Sequence, residues 1–275
     1  MNFFKYILLY TVIFGVLFFG CCGVYFAEQN LAFFEDVDGI EQHYTAFLYI
    51  GRWIREICHN IFIEHSFIIP LWNHGMGYGA DIPTTLAAYI FDPFNYIAAL
   101  IPETISEYVF DGIIVFKFYL CGLSYSIFAC YRRQKWPYVL IGAIMYTFCG
   151  SMYIGFIQMY FINPMYLFPL LIVGFDRLWN DGKYVMYTIM LMVCFLNHFY
   201  FAYMMSLFLL GYGALLFIED VCNTRQWRKN MVRMLKVGGF SVLAIAGAAI
   251  ALLPLMDNLL QQGRMEIKYF VPLFY

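Results

Sequence analysis

From Lys183 to Phe217 the sequence reads KYVMYTIMLMVCFLNHFYFAYMMSLFLLGYGALLF, 35 residues of near-continuous apolarity with Asn197-His198-Phe199-Tyr200 at the middle. A helix rises about 1.5 Å per residue, so roughly 20 apolar residues cross a bilayer core. The stretch is too long for one crossing and long enough for two short ones joined by an outer turn at residues 197–200. Lys183 and Arg225 then flank the pair on one side of the membrane, as basic loops should.

The rest of the chain extends this reading. Of 275 residues, 63% are hydrophobic and 12% charged, against about 25% charged in an ordinary soluble domain. That balance excludes a water-soluble fold, and no nucleic-acid partner is expected. Runs without period-two alternation exclude a β-barrel, and open sheet edges are not tolerated in lipid. The predicted fold is all-α: a polytopic transmembrane helical bundle with an outer interfacial helix and a re-entrant segment, forming a single transmembrane domain over residues 1–275.

Charge placement sets the orientation. Lys5, the Arg132–Lys135 cluster, Arg177 with Lys183, and the bases from Arg225 to Lys236 fall in four segments between apolar runs; the positive-inside rule makes these cytoplasmic, with the N-terminus. The segment from Glu28 to Asp111 carries twelve of the eighteen acidic residues and only Arg52 and Arg55 as bases. It belongs outside, and residues 27–85 are expected as the first extracytoplasmic loop of a multi-pass protein of the plasma membrane.

Spans are expected over residues 6–26, 108–129, 137–157, 158–175, twice within 183–217, and over 237–256. Residues 41–64 repeat apolar positions at helical spacing beside a polar face, which suits a helix lying in the interface. Residues 86–101 are apolar yet contain Asp92-Pro93 and Asn95, the pattern of a broken, re-entrant helix. The eight cysteines show no metal-ligand spacing. The terminal Phe-Val-Pro-Leu-Phe-Tyr looks like the start of a further segment, so a piece of a longer chain is expected.

Residues able to carry chemistry collect on the outer side. Asp36 and Asp38 follow the first span; together they could bind a divalent cation, or one could act as a general base. Asp38 with Glu41 also has the form of a capping box. Asn73-His74 sits among Gly75, Gly77 and Gly79 in a loop whose plain reading is turn chemistry, with Trp72 as an interface anchor. Asp92, Asn95, Lys117, Asn163, Asn197 and His198 are polar at membrane depth, where such groups are costly and mark cavities or pathways. Arg52 is a natural phosphate partner.

Several segments occur in a telling order: Asp38-Gly-Ile-Glu-Gln42-His-Tyr44, Leu71-Trp-Asn-His-Gly75-Met-Gly77, Asp92-Pro-Phe-Asn95, Phe116-Lys-Phe with Gly122-Leu, Tyr146-Thr-Phe-Cys-Gly150, the Phe168–Leu178 run with Arg177, and Asn197-His-Phe-Tyr-Phe-Ala-Tyr203. Together they resemble the N-terminal part of the bacterial YfhO family of membrane proteins, over nearly the whole chain. The resemblance implies a GT-C-like glycosyltransferase that moves a sugar from a polyprenyl-phosphate carrier to a cell-envelope polymer, teichoic-acid-like, at the outer face of the bilayer. It makes Asp38 the catalytic base and Asp36 the second carboxylate, with no certain cofactor. Gln42, Arg52, Trp72, Asn73, Asp92, Asn95, Asn197 and His198 form the expected substrate-binding set. Two other classes remain open: a transporter or flippase of lipid-linked precursors running past Asp92 and Lys117, and an inactive scaffold.

Overall fold

The computed structural model describes residues 3–23, 38–76 and 79–261. Helix α1 (Phe3–Phe18) continues as a π-helical turn over Phe19–Gly23. It buries one residue in four, namely Tyr6, Tyr10, Phe14, Phe18 and Cys22, while Phe4, Leu8, Val12 and Val16 stay exposed. The buried stripe packs on α3 (Ser106–Tyr131). There the Tyr6 and Ser126 hydroxyls meet at 2.6 Å, and Tyr10 Oη donates to Tyr119 O at 3.1 Å. A Cβ on Gly122 would fall 2.0 Å from Tyr10 Oη, so this crossing requires glycine.

The helix expected at the interface is α2 (Thr45–Phe62), entered through a π turn over Gly39–Tyr44. Phe47 and Ile50 are fully buried beneath it. It lies so close to the next segment that a Cβ on Gly51 would come 2.7 Å from Ala98 O.

The stretch 86–101, expected as a re-entrant helix, consists of a short turn at Ala87–Ile90 and a 3-10 turn at Pro93–Ala99, preceded by another short turn at Ile82–Thr85. Proline removes a donor, and the backbone groups freed by the breaks are answered by side chains. Asp92 Oδ1 accepts from Phe94 N at 3.2 Å, Asn95 Nδ2 donates to Tyr89 O at 2.9 Å, and Tyr96 Oη donates to Ile90 O at 2.5 Å.

The remaining longer helices are α4 (Trp136–Thr147), α5 (Ile162–Asp181), α6 (Val185–Asn197), α7 (Phe199–Thr224), α8 (Trp227–Gly247) and α9 (Ala249–Gln261), with a seven-residue helix at Ser151–Ile157 that breaks the span expected over 137–157. α3 and α5 form the spine: α1 and α4 pack on the α3 side, and α6, α7 and α8 on the α5 side. Among the described residues, four helices are long and apolar enough to cross a membrane, and α8 with α9, bent by 72°, makes a fifth if counted as one span. α4 and α6 are apolar but too short to cross alone. The expected outer turn at 197–200 is a break at His198 only, while α7 runs on to Thr224 instead of ending near 217, and α8 starts at Trp227 instead of near 237.

The basic segments meet at one end of the bundle. Arg132, after α3, pairs with Asp176 of α5 at 2.8 Å, and Tyr212 of α7 donates to the same carboxylate at 2.8 Å. Arg233 of α8 pairs with Asp220 of α7 at 2.7 Å, and Trp179 Nε1 reaches that carboxylate at 3.2 Å. These contacts hold the ends of α3, α5, α7 and α8 at a common level.

Candidate functional site

At the opposite end, polar side chains from distant segments join into two connected sets. The outer set starts at Asp38, exposed at the mouth of the π turn. Its side chain does not cap the helix; Asp38 Oδ2 instead accepts from Gln158 Nε2. The capping-box expectation therefore gives way to a long-range bond. A carboxylate only accepts, so Gln158 must turn its NH2 toward Asp38 and its Oε1 toward His43, 2.9 Å from His43 Nε2. His43 Nε2 must then carry the proton, which leaves Nδ1 to accept from Tyr89 Oη at 2.9 Å. One assignment of hydrogens satisfies the chain Tyr89–His43–Gln158–Asp38.

His43 is 1% exposed. Burial, the largest influence, lowers its pKa below the ordinary 6.5, against upward pulls from the Gln158 bond and the Asp38 charge; the Lys117 charge adds to the lowering. The ring thus rests neutral, as the chain requires. Tyr160 stands edge-on to His43 at 4.8 Å and to Tyr89 at 4.6 Å between ring centroids, and its other side faces the His198 ring at 6.2 Å.

The inner set is centred on Asp92 and Lys117, both side chains fully buried, with Nζ 2.5 Å from Asp92 Oδ2. Asn163 Nδ2 donates to the same oxygen at 3.0 Å and to Asn197 Oδ1 at 2.8 Å. Lys117 also lies 5.5 Å from the centre of the Phe94 ring. The sets approach each other through Tyr89, whose hydroxyl serves His43 and whose carbonyl serves Asn95.

The expected site residues thus fall into groups. Asp38, Asp92, Asn95, Asn197 and His198 belong to these two sets or border them, and Gln42 is exposed on the π turn beside Asp38. Arg52 lies farther along α2, gripping Glu103 with two arms of 2.8 Å each. Trp72 and Asn73 form strand β1, paired antiparallel with β2 (Ala80–Asp81). Asn73 Oδ1 accepts from Gly75 N at 2.7 Å, an Asx turn as plain turn chemistry predicts. Gly79, at φ +108°, presents its bare face to the Trp72 indole, where a Cβ would come within 2.9 Å. Asp36 lies outside the described residues. Among the described residues no three Asp, Glu, His or Cys side chains gather as metal ligands.

Sequence reasoning missed His43, Gln158, Tyr89 and Tyr160. One signal exists: Gln158 is an amide within an apolar run, the same pattern that marks Asn163.

No curated protein and no solved structure matches the chain. The family described as bacterial membrane protein YfhO matches residues 8–274. With its apolar helices and its order of motifs, the chain belongs to the YfhO family of bacterial membrane proteins.

Proposed function

We propose that this chain transfers a sugar from a polyprenyl-phosphate carrier to a cell-envelope polymer of the teichoic-acid type, at the outer face of the plasma membrane, with its N-terminus in the cytoplasm. Family membership supports a glycosyltransferase-like activity. The observation that carries the assignment of the base is the Gln158–Asp38 bond. It holds an exposed carboxylate in one orientation, backed by a buried neutral histidine.

In this reading Gln158 occupies Asp38 Oδ2, and Oδ1 takes the proton of the acceptor hydroxyl. The acceptor oxygen bonds to the anomeric carbon as the bond from that carbon to the phosphate oxygen breaks. Polyprenyl phosphate leaves with the electron pair. Arg52 is 61% exposed, and its pairing with Glu103 at the surface is screened by solvent and weak. A guanidinium suits phosphate geometry, so Arg52 would meet the phosphate of an arriving carrier; it stands 14 residues beyond Asp38 on one continuous helix and is not beside the base. Gln42, four residues after Asp38, and Trp72 and Asn73 of strand β1 are the positions this reading offers to carrier or acceptor. Asp36 is the second carboxylate, and a divalent cation at the pair would assist the leaving group.

The transporter reading draws on Asp92 and Lys117 at membrane depth. Their complete burial and saturated pairing favour a structural lock over a path.

The test compares Asp38→Asn with Asp38→Ala for incorporation of labelled sugar into the envelope and for membrane levels of the protein. Asparagine retains an acceptor for Gln158 but cannot take a proton. Both variants are expected to lose about 100-fold or more of transfer at normal protein levels, the scale of general-base catalysis. Full transfer by Asp38→Asn would remove Asp38 as the base and favour the transporter or scaffold readings.

A further inference from the structure

A groove of about 440 Å³ runs between the end of α5 and the first turns of α8, a size usual for small-ligand sites, which occupy about 300–1,000 Å³. The candidate spans Met159–Asp181 and Phe199–Asn223 end at this level, where helices leave the bilayer core. Lys229, Arg233 and Lys236 line the groove. Spaced i, i+4 and i+7, they share one face of α8 within an arc of about 60° and over about 10 Å of its axis. Arg233 is held by Asp220 at 2.7 Å and Asn230 at 3.1 Å, and it rests 5.7 Å from the centre of the Trp179 ring. Lys229 and Lys236 are exposed, and among the described residues neither has a hydrogen bond or ion pair, even with Asp181, the lining's one carboxylate. The first turn of α8 has no acidic residue and carries Arg228 and Lys229 at the positive end of the helix dipole, where an anion is favoured and a cation is not.

We infer that this groove binds the phosphate headgroup of an anionic phospholipid, with Lys229, Arg233 and Lys236 around the phosphate and an acyl chain along the neighbouring strip of α8. That strip begins in the groove itself, at Val232, 51% exposed, and continues through Leu235 and Val242, 69% and 67% exposed. At i, i+3 and i+10 these three lie on one side of the basic face, so an apolar track leads from the charges toward the middle of the bilayer. Basic pockets between helices at a membrane surface suit anionic headgroups. A soluble phosphate would use the bases and leave the track without a partner. A phosphocholine headgroup would bring its own cation against three others. The inference takes only the leaflet, the inner one, from the orientation proposed above; the groove and its charges do not depend on sugar transfer.

The experiment places the whole chain in phosphatidylcholine nanodiscs with a rising share of phosphatidylglycerol and reads Tm, since a ligand that binds the folded form raises it saturably. Three proteins are compared: the unaltered chain, Lys229→Gln with Lys236→Gln, and Lys5→Gln with Lys135→Gln. The last pair removes the same charge from exposed bases outside the groove. Arg233 is kept in every case, so its pair with Asp220 stays intact.

Phosphatidylglycerol is expected to raise Tm saturably in the unaltered chain and equally in the Lys5, Lys135 variant. The Lys229, Lys236 variant is expected to need about tenfold or more of the lipid for the same half-saturation, the effect of two bases near a headgroup. Equal responses of the two double variants would assign the rise to surface charge in general and overturn the inference. So would the absence of a saturable rise in the unaltered chain. The same rise produced by inorganic phosphate in discs of phosphatidylcholine alone would make the groove a soluble-anion site and overturn the lipid assignment.

Discussion

His43 shows how one buried side chain sets the conditions under which its neighbours work. Folding lowers its pKa below 6.5 by burial, so the folded form binds that proton more weakly than the unfolded chain does. Its contribution to stability is therefore complete above the unfolded value and is lost as pH falls through about 6.5 toward the lower folded value. Thermal melts in nanodiscs should show Tm dropping as pH falls below about 6.5, with a smaller drop in His43→Gln, which cannot titrate at this position. Gln158→Leu should cost transfer about tenfold or more while Asp38 stays in place, because effective positioning is itself a large share of catalysis. Unchanged transfer would mean that the bond does not position the base. Asp38 was legible from its place just outside a span. Its partner Gln158, 120 residues away, was not; no local pattern pairs an acid with an amide from another helix.

At the level of elements, hydrophobic length and charge placement carried most of the fold. Boundaries shifted where a local rule competed with the apolar pattern. α8 begins among bases, at Trp227, because a span can carry Arg228, Lys229 and Arg233 on a turn that reaches the headgroup region. The break at Asp92-Pro93 was readable from proline chemistry, but the side chains that answer its open backbone required the structure. Close approaches were also hidden. Gly51→Val should destabilise by about 1–3 kcal/mol, the usual cost of overpacking, since its Cβ would meet the Ala98 carbonyl at 2.7 Å. Gly238→Ala, where a Cβ meets nothing within 4 Å, is the control expected to melt normally. Equal Tm values for the two variants would show that α2 can move away from the Pro93–Ala99 turn.

Across the whole molecule, ion pairs at one end hold the helices level while a buried pair fixes the middle of α3 against the Pro93–Ala99 turn. Breaking a buried pair by removing one partner costs about 3–5 kcal/mol, whereas replacing both is often near neutral. Lys117→Met alone should therefore be poorly tolerated, and the double variant Asp92→Asn with Lys117→Met should recover about 2 kcal/mol or more, measured by Tm and membrane levels. A double variant no better than the single one would show that the charge pair is not the source of the loss. The gathering of bases into a few short segments was legible, because apolar runs separate them along the chain. The pairing of particular residues was not, since no local pattern tells which carboxylate a buried lysine meets.

The separation of that pair along the chain bears on biosynthesis. Asp92 precedes Lys117 by 25 residues and leaves the ribosome first. Entry of a lone lysine at the centre of a span into lipid costs about 2.5–3.5 kcal/mol. A counter-ion already delivered by the preceding turns allows α3 to enter the bilayer with Lys117 paired, before α5 and α6 bring Asn163 and Asn197 to the same carboxylate network. Chain order, as much as final geometry, makes a buried cation affordable here.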